Sequence, residues 1–554
     1  VFHPHWRRRA LAGLARPFDL VIVGGGITGC GVFLDAAQRG LRVLLVERDD
    51  VAAGTSSRSS KLIHGGLRYL KQMQFRVTRE SCRERDRMLQ LSPHLVTPLR
   101  FVYPAYRGDR TPGWTVQLGL RLYDRLTGRP EKHAQLDAEE LHELAPGLPT
   151  AELDRALAYA DARADDARLT LAVAATGLAH GGLLLTRAAP EEAVRDAGGR
   201  VAGLVLRDLE DGAVHRVEAS LVVNATGAWV DELRHRFGAD GRRVRPSRGS
   251  HLLFDRRKIP IRAAVTLPAP DDGRPVFFVP HPEGVLAGTT DLFHHGPLDD
   301  PRPARAEVDY LLRAAAAAFP GDPPGEGDVL GSFAGVRPVL DQSTDDPSHA
   351  SREEAVWEER GLLSVAGGKL TTWRSTAEEV VDTALGHLPA ERRRHAAPCA
   401  TAGTPLAGVA PADLPERLRA VHGVEPAVAG ALARRLGSLA WTACELARGR
   451  GELRPLAGGA DLCAAEVRSH LRYGGVLHLS DLLLRRVRIG VWQPAVARDL
   501  LPHLRRTVRR ELGWSGDRWR REVERYARDA EGWTLAGAVP GDGPEEDRQE
   551  KERP

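Results

Sequence analysis

Cysteine is scarce in this chain: five in 554 residues (Cys30, Cys82, Cys399, Cys444 and Cys463), with no C-x-x-C pair. That spacing argues against a disulfide framework, a structural zinc site and an iron–sulfur cluster, and it fits a reducing compartment. Long apolar runs are missing too; none approaches the roughly 20 residues that a membrane span needs. A large excess of one charge is also lacking. A net charge of +4 suits an anionic small substrate or an anionic membrane surface, and is too mild to argue for nucleic acid. No internal repeat is visible. The opening stretch, VFHPHWRRRALAGLARPFD, is basic but lacks the apolar region and cleavage site of a signal peptide, and residues 1–17 read as a flexible lead-in.

What is present is an ordinary globular composition, 42% hydrophobic and 27% charged, at a length that predicts two or three domains. The first strong element is the apolar run Asp19-Leu20-Val21-Ile22-Val23, of buried parallel-strand type. It ends in Gly24-Gly25-Gly26-Ile27-Thr28-Gly29, and CGVFLDAAQRG then reads as a small-residue helix closed by Gly40. A second buried strand, Val43 to Val46, runs into Glu47 and Arg48. Strand, glycine loop, helix, strand and acid in this order form a dinucleotide fingerprint. Gly24 makes the tight turn, Gly26 lets backbone N–H groups approach a pyrophosphate, and Gly29 lets helix and sheet pack closely. Glu47 stands where an acid accepts hydrogen bonds from an adenosine ribose.

Further on, DDARLTLAVAATGLAHGG reads as a helix with an acidic start and a Gly-Gly stop. VAGLVLRDLEDGAVHRVEASLVV reads as strand, Asp-Gly turn and strand, then a separate buried strand, Leu221 to Val223, leading to Asn224-Ala225-Thr226-Gly227. PVFFVPHPEGVLAGTTD is a hairpin around Pro282-Glu283-Gly284. GGKLTTWRSTAEEVVDTALG enters a helix with Ala377, Val380, Val381, Ala384 and Leu385 on one face. Only one nucleotide fingerprint is present, whereas reduction of a bound flavin by NADH usually needs two nucleotide sites. NATGAW also resembles an element of two-domain flavoproteins that passes close to the cofactor. Non-covalent FAD is therefore the expected cofactor.

Several motifs then occur in one order: IVGGGITGCG, TSSRSSKLIHGGLRYL, GLRLYDRLTG, DDARLTLA, NATGAWV, GSH, GTTD, GVRPVL and GGKLTTWR. Over about residues 18–385 they resemble the FAD-dependent sn-glycerol-3-phosphate dehydrogenases, and RYGGVLHLSDLLLRRVRIG resembles that family's C-terminal domain. The resemblance implies an α/β fold (α+β overall). An FAD-binding Rossmann-like domain would be interleaved with a mixed β-sheet substrate domain of the amino-acid-oxidase type (18–398). A helical C-terminal domain (399–530) and a charged, disordered tail (531–554) would follow. It also implies oxidation of sn-glycerol 3-phosphate with electrons passed to a membrane quinone, by an enzyme of the cytoplasm attached to the inner face of the cell membrane. Contact with anionic lipid is expected, and a homodimer is allowed. A dioxygen-using oxidase, an amine or amino-acid oxidase, and a non-catalytic flavin-binding regulator are the rival readings.

Oxidising a secondary alcohol needs a base for its hydroxyl proton while hydride leaves carbon. Two histidines compete: His251, in Arg248-Gly249-Ser250-His251, and His64, which could instead orient flavin. A phosphate-bearing substrate wants guanidinium forks. Arg337 in Gly335-Val336-Arg337-Pro338 and Arg352 are the first candidates, followed by Arg68 and Tyr69; Thr290 and Asp291 could line the same pocket. By the resemblance, the cofactor-contacting set includes Arg48, Thr55, Ser56, Ser57, Ser60, Lys61, Leu62, His64, Gly65, Gly66, Ala225, Thr226, Gly227, Gly335 and Arg337. The stretch Gly367, Gly368, Lys369, Leu370 and Thr371 leads into a helix and would lie at the flavin edge, with Lys369 also near substrate. Asp481, Arg485, Arg486 and Arg488 read as a solvated or salt-bridged helix face.

Overall fold

The structure, a computed structural model, describes residues 2–66, 73–127, 132–341, 354–456 and 460–539. Arg68, Tyr69 and Arg352 lie outside the described residues, as does the tail from 540 onward.

The apolar run after residue 17 forms the strand Phe18–Val23, buried along its whole length. It pairs in parallel with Val43–Glu47 on one side and with Val214–Asn224 on the other. Leu183–Thr186 and Leu362–Ala366 extend the parallel layer outward, and Ala355–Glu359 closes one edge antiparallel. Side chains alternate between two cores, as the period of a strand requires. Leu20, Ile22, Val43 and Leu45 meet the helices Ile27–Gln38, Asp166–Ala179 and Trp373–His387. Val21, Val23, Leu44 and Val46 face the opposite way, against Leu204, Leu206 and Phe237.

The Asp-Gly turn lies between Val201–Asp208 and Val214–Asn224 as expected, but Val214–Asn224 is one continuous strand where two successive strands were expected. Its first half pairs antiparallel with Val201–Asp208 and its second half parallel with Phe18–Val23. One strand therefore serves both a hairpin and the central layer. A second sheet is built around Val244–Phe254, which pairs antiparallel with Val329–Leu340 along its length and with Gly284–Gly288. The hairpin Pro275–His281/Gly284–Gly288 turns at Pro282-Glu283, as expected.

Residues beyond about 400 are helical, from Leu414–His422 to Gly516–Glu531. Among the described residues, no helix is long and apolar enough to cross a membrane. Two expectations need correction. The lead-in is not loose: Trp6–Gly13 is a helix whose Trp6 and Ala10 are buried together with Phe2 and Leu14, and Arg7 pairs with Asp208. Apolar residues four apart outweigh the arginines there. The tail does not begin at 531 either, because Trp533 is buried against Phe333 and Val539 bridges to Ala304.

Candidate functional site

The glycine turn is shaped by contacts that a side chain would destroy. Gly24 has φ +111°, and a Cβ there would lie 2.5 Å from the Ala225 carbonyl oxygen. A Cβ on Gly29 would lie 1.9 Å from the Gly24 carbonyl oxygen. The turn delivers the N-terminus of Ile27–Gln38, whose first turn holds no acidic residue. Its positive dipole end is thus open to an anion. Ser56 Oγ accepts from the Ile27 N–H at 2.9 Å.

Glu47 leaves the second strand and accepts from the Gly25 N–H (2.6 Å) and the Asp49 N–H (2.7 Å). Burial, aided by the charge of Asp49, pushes its pKa up to about 7. Beyond it the chain folds back along one cavity of about 420 Å³. The cavity is lined by Gly24, Gly26 to Thr28, Glu47, Arg48, Thr55, Ser56, Ser60 to Leu62 and His64. It continues past Ala225 to Gly227, His251, Gly335, Arg337 and Gly367 to Thr371. Segments far apart in sequence therefore share one elongated space.

Burial at this site follows from strand register. His251 sits in Val244–Phe254 opposite Phe333 on one side and Gly288 on the other. Its ring stacks on Phe333 with centroids 4.7 Å apart, and a Cβ on Gly288 would lie 2.4 Å from its Cδ2. Nε2 is 2.9 Å from Ser60 Oγ, while Nδ1 is buried with no hydrogen-bond partner among the described residues. Burial, then the charges of Arg337 and Lys61, hold its pKa well below the ordinary histidine value. The same burial and charges favour the neutral imidazole.

Arg337 lies in the paired strand opposite Ser247. Its Nη1 reaches Asp291 Oδ1 at 3.1 Å, and its Nη2 donates to Thr289 Oγ1 at 3.1 Å. Ser247 Oγ donates to the same Asp291 oxygen at 2.6 Å. A Cβ on Gly249 would sit 2.2 Å from Arg337 Nη2, so that glycine makes room for the guanidinium.

Some expected residues stand outside the cavity lining. Gly29 serves packing, and Ser57 Oγ donates to the Ala52 carbonyl. Gly65 was expected to clear space for the cofactor. Instead, a Cβ there would lie 2.3 Å from Tyr123 Oη and 2.4 Å from Cys82 Sγ; the room is for a buried Tyr123–Arg85–Asp161 cluster. Gly25 and Gly66 do not line the cavity either. Thr290 is turned to Glu307 and the Ser250 N–H, and Asp291 holds Arg337 instead of facing the cavity. Lys61 does line it, but its Nζ is 2.9 Å from both Asp166 oxygens, and burial lowers its pKa to about 8. Arg58, Ser59, Trp229 and Asp299 were not foreseen. Trp229 Nε1 donates to Asp299 at 3.0 Å, which also pairs with Arg48, and no local motif marks that acid.

The four residues Asp481, Arg485, Arg486 and Arg488 are ion-paired and buried, not solvated. They belong to a π-helical turn, Asp481–Arg486, and its exit. Arg485 and Arg486 grip Asp50, Arg187 and Arg485 share Asp481 (2.6 Å each), and Arg488 reaches Asp166 at 3.0 Å. The helical region thus reaches the cavity-lining segment at Asp50 and, through Asp166, at Lys61.

The glycine cradle, the acid-free helix N-terminus and the buried acid beside it fit FAD. Comparison with known proteins agrees. Residues 19–383 match the FAD dependent oxidoreductase family, and residues 399–519 match the C-terminal domain of alpha-glycerophosphate oxidase. The chain is 37% identical over 543 residues to glycerol-3-phosphate dehydrogenase of Mycobacterium leprae, covering 95% of this chain and 90% of that one. It is 38% identical over 395 residues to aerobic glycerol-3-phosphate dehydrogenase of Staphylococcus haemolyticus, 71% of each chain. The crystal structure of glycerol-3-phosphate dehydrogenase from Bacillus halodurans complexed with FAD is similar at a TM-score of 0.79 and 28% identity. That match covers 96% of this chain and 98% of the other.

Proposed function

Because the chain belongs to the FAD-dependent glycerol-3-phosphate dehydrogenase family, we propose that it oxidises sn-glycerol 3-phosphate to dihydroxyacetone phosphate, with a membrane quinone as final electron acceptor. The observation that carries this reading is the pairing of Arg337 with His251. A guanidinium fork held by Asp291 and Thr289 and a neutral buried imidazole face one cavity from neighbouring strands. FAD, when bound, supplies the two-electron acceptor for the hydride leaving C2.

This chain's own residues do the rest. Arg337 binds the substrate phosphate, with Lys369 lining the same cavity; Arg68, Tyr69 and Arg352 are the further proposed contacts. His251 takes the C2 hydroxyl proton, and Ser60 orients the ring through Nε2. A general base of this kind contributes about 10²- to 10⁴-fold. His64 is the competing base: it lines the cavity, and its backbone N–H donates to Thr371 Oγ1 at 3.3 Å. Glu47, the Gly24–Gly29 turn and the serine-rich segment hold the cofactor. We further place the protein on the inner face of the cell membrane, where a quinone is reached.

The match of residues 399–519 to an oxidase-type C-terminal domain supports dioxygen as a second acceptor reading. Turnover with a short-chain quinone under nitrogen, compared with peroxide release in air, separates the two. Fast quinone reduction with little peroxide is expected. Peroxide formed as fast as substrate disappears, with no quinone-dependent turnover, would replace the dehydrogenase reading by the oxidase.

A further inference from the structure

Lys61 of TSSRSSKLIHGGLRYL, Asp166 of DDARLTLA and Arg488 of RVRIG are at most 1% exposed and meet in one cluster. Asp166 opens the helix Asp166–Ala179, just after the strand Leu153–Ala164, whose end pairs with Leu62–Ile63. That pairing sets the carboxylate beside the serine-rich segment.

The carboxylate holds the residues on both sides of Ser60. Ser59 donates to Oδ2 from its N–H at 3.1 Å and from its Oγ at 2.7 Å. Lys61 Nζ donates to both oxygens, and the Lys61 N–H donates to Ser59 Oγ at 3.0 Å. Lys61 stands at φ +56°, a left-handed backbone that residues other than glycine seldom adopt. These contacts fix the bend at Ser60. Arg488, from the helical region, reaches Oδ1 at 3.0 Å. Asp166 itself does not line the cavity, so it acts on the chemistry only through its neighbours.

Ser60 carries that action to the imidazole. Its Oγ, 2.9 Å from His251 Nε2, makes the ring's one hydrogen bond among the described residues. Stacking on Phe333 sets the plane of the ring. A half-turn about the Cβ–Cγ bond would keep that stack and put carbons where the nitrogens stand. The Ser60 contact selects between the two arrangements, and with it which nitrogen is free for a proton.

We propose that Asp166 is a positioning residue for the proton transfer. It fixes Ser59 and Lys61 so that Ser60 holds His251 in its reacting orientation, while Arg488 of the helical region secures the carboxylate. The role rests on the reading of His251 as the base, and the test separates the two.

The FAD-loaded full chain is reduced under nitrogen with sn-glycerol 3-phosphate, and the limiting bleaching rate and the half-saturating concentration are read. Asp166→Asn should lower the limiting rate roughly tenfold or more, the scale of a lost hydrogen bond to a charged group. Half-saturation should not move, because Arg337 is untouched. Added to His251→Asn, the same change should cost less than about twofold, because both act through one ring. A cluster that only stabilised the fold would multiply its loss in full. Ser59→Ala keeps every buried charge and serves where Asp166→Asn does not hold FAD. It should slow bleaching roughly threefold, since the Ser59 N–H still reaches Asp166, and should add nothing to His251→Asn. A parent-like rate in Asp166→Asn, or in Ser59→Ala where it stands in, overturns the positioning role, as do losses that multiply fully with His251→Asn. Parent-like bleaching in His251→Asn overturns the base assignment instead, and this role falls with it.

Discussion

Replacing Arg337 by Ala removes the fork proposed to hold the substrate phosphate, and the structure sets the scale of the effect. The guanidinium is 23% exposed and is fixed by Asp291 and Thr289, so little ordering remains to be done on binding. Charge-assisted hydrogen bonds of this kind contribute about 1.5–3 kcal/mol. At 1.36 kcal/mol per decade this is about a 10- to 150-fold rise in KM. The loss also takes from the Asp291 carboxylate the guanidinium it holds, which favours phosphate less. Arg337→Lys keeps the charge but not the fork, and should fall between the parent and the alanine variant. Gly249→Ala, which drives a methyl group towards Arg337 Nη2, should raise KM in the same direction without touching the charge. The assay is steady-state dye reduction with sn-glycerol 3-phosphate and, separately, with glycerol, together with the flavin content of each variant. Only the phosphorylated substrate should be affected, at unchanged flavin content. An unchanged KM in Arg337→Ala, or equal losses with both substrates, would refute the assignment.

Gly29→Ala should abolish FAD retention, because the new Cβ meets backbone at 1.9 Å and no flexible side chain can yield; purified protein would be colourless. Asp50→Asn takes the carboxylate from the buried guanidinium of Arg486 and leaves Arg485 with Asp481 alone. It should cost about 3–5 kcal/mol of stability, read in denaturant unfolding. Glu47, with its pKa raised to about 7 by burial, makes the FAD-free protein pH-dependent. The unfolded chain releases this proton at lower pH than the folded one, so stability falls as pH rises through the interval up to about 7 and then levels. The melting temperature of FAD-free Glu47→Gln should rise relative to the parent across that interval; parallel curves would contradict the assignment.

The nucleotide half of the site was legible because it is local. The run ending at Val23, the turn to Gly29 and the acid at Glu47 lie within about 30 residues and carry their own reasons in backbone geometry. The catalytic half depends on register that no short motif encodes. Ser60 meets His251 across 191 residues and Arg337 meets Asp291 across 46, through side chains that the fold brings together. Gly65 was visible as a special position, but the sequence does not show that Tyr123 and Cys82 occupy the space a side chain there would need. For the four charged residues from Asp481 to Arg488 the salt-bridged alternative holds, but their burial was not legible, because two of their partners, Asp50 and Asp166, are over 300 residues away. The lead-in helix was misread through its arginines, although Trp6, Ala10 and Leu14 already recur every four residues.

The most direct test of the account is the addition of sn-glycerol 3-phosphate to the FAD-loaded protein under nitrogen, with the visible flavin absorbance followed in time. The account predicts rapid and complete bleaching, with dihydroxyacetone phosphate formed one for one with flavin, and a slowing of about 10²-fold or more in His251→Asn. A protein that holds FAD and does not bleach would contradict it.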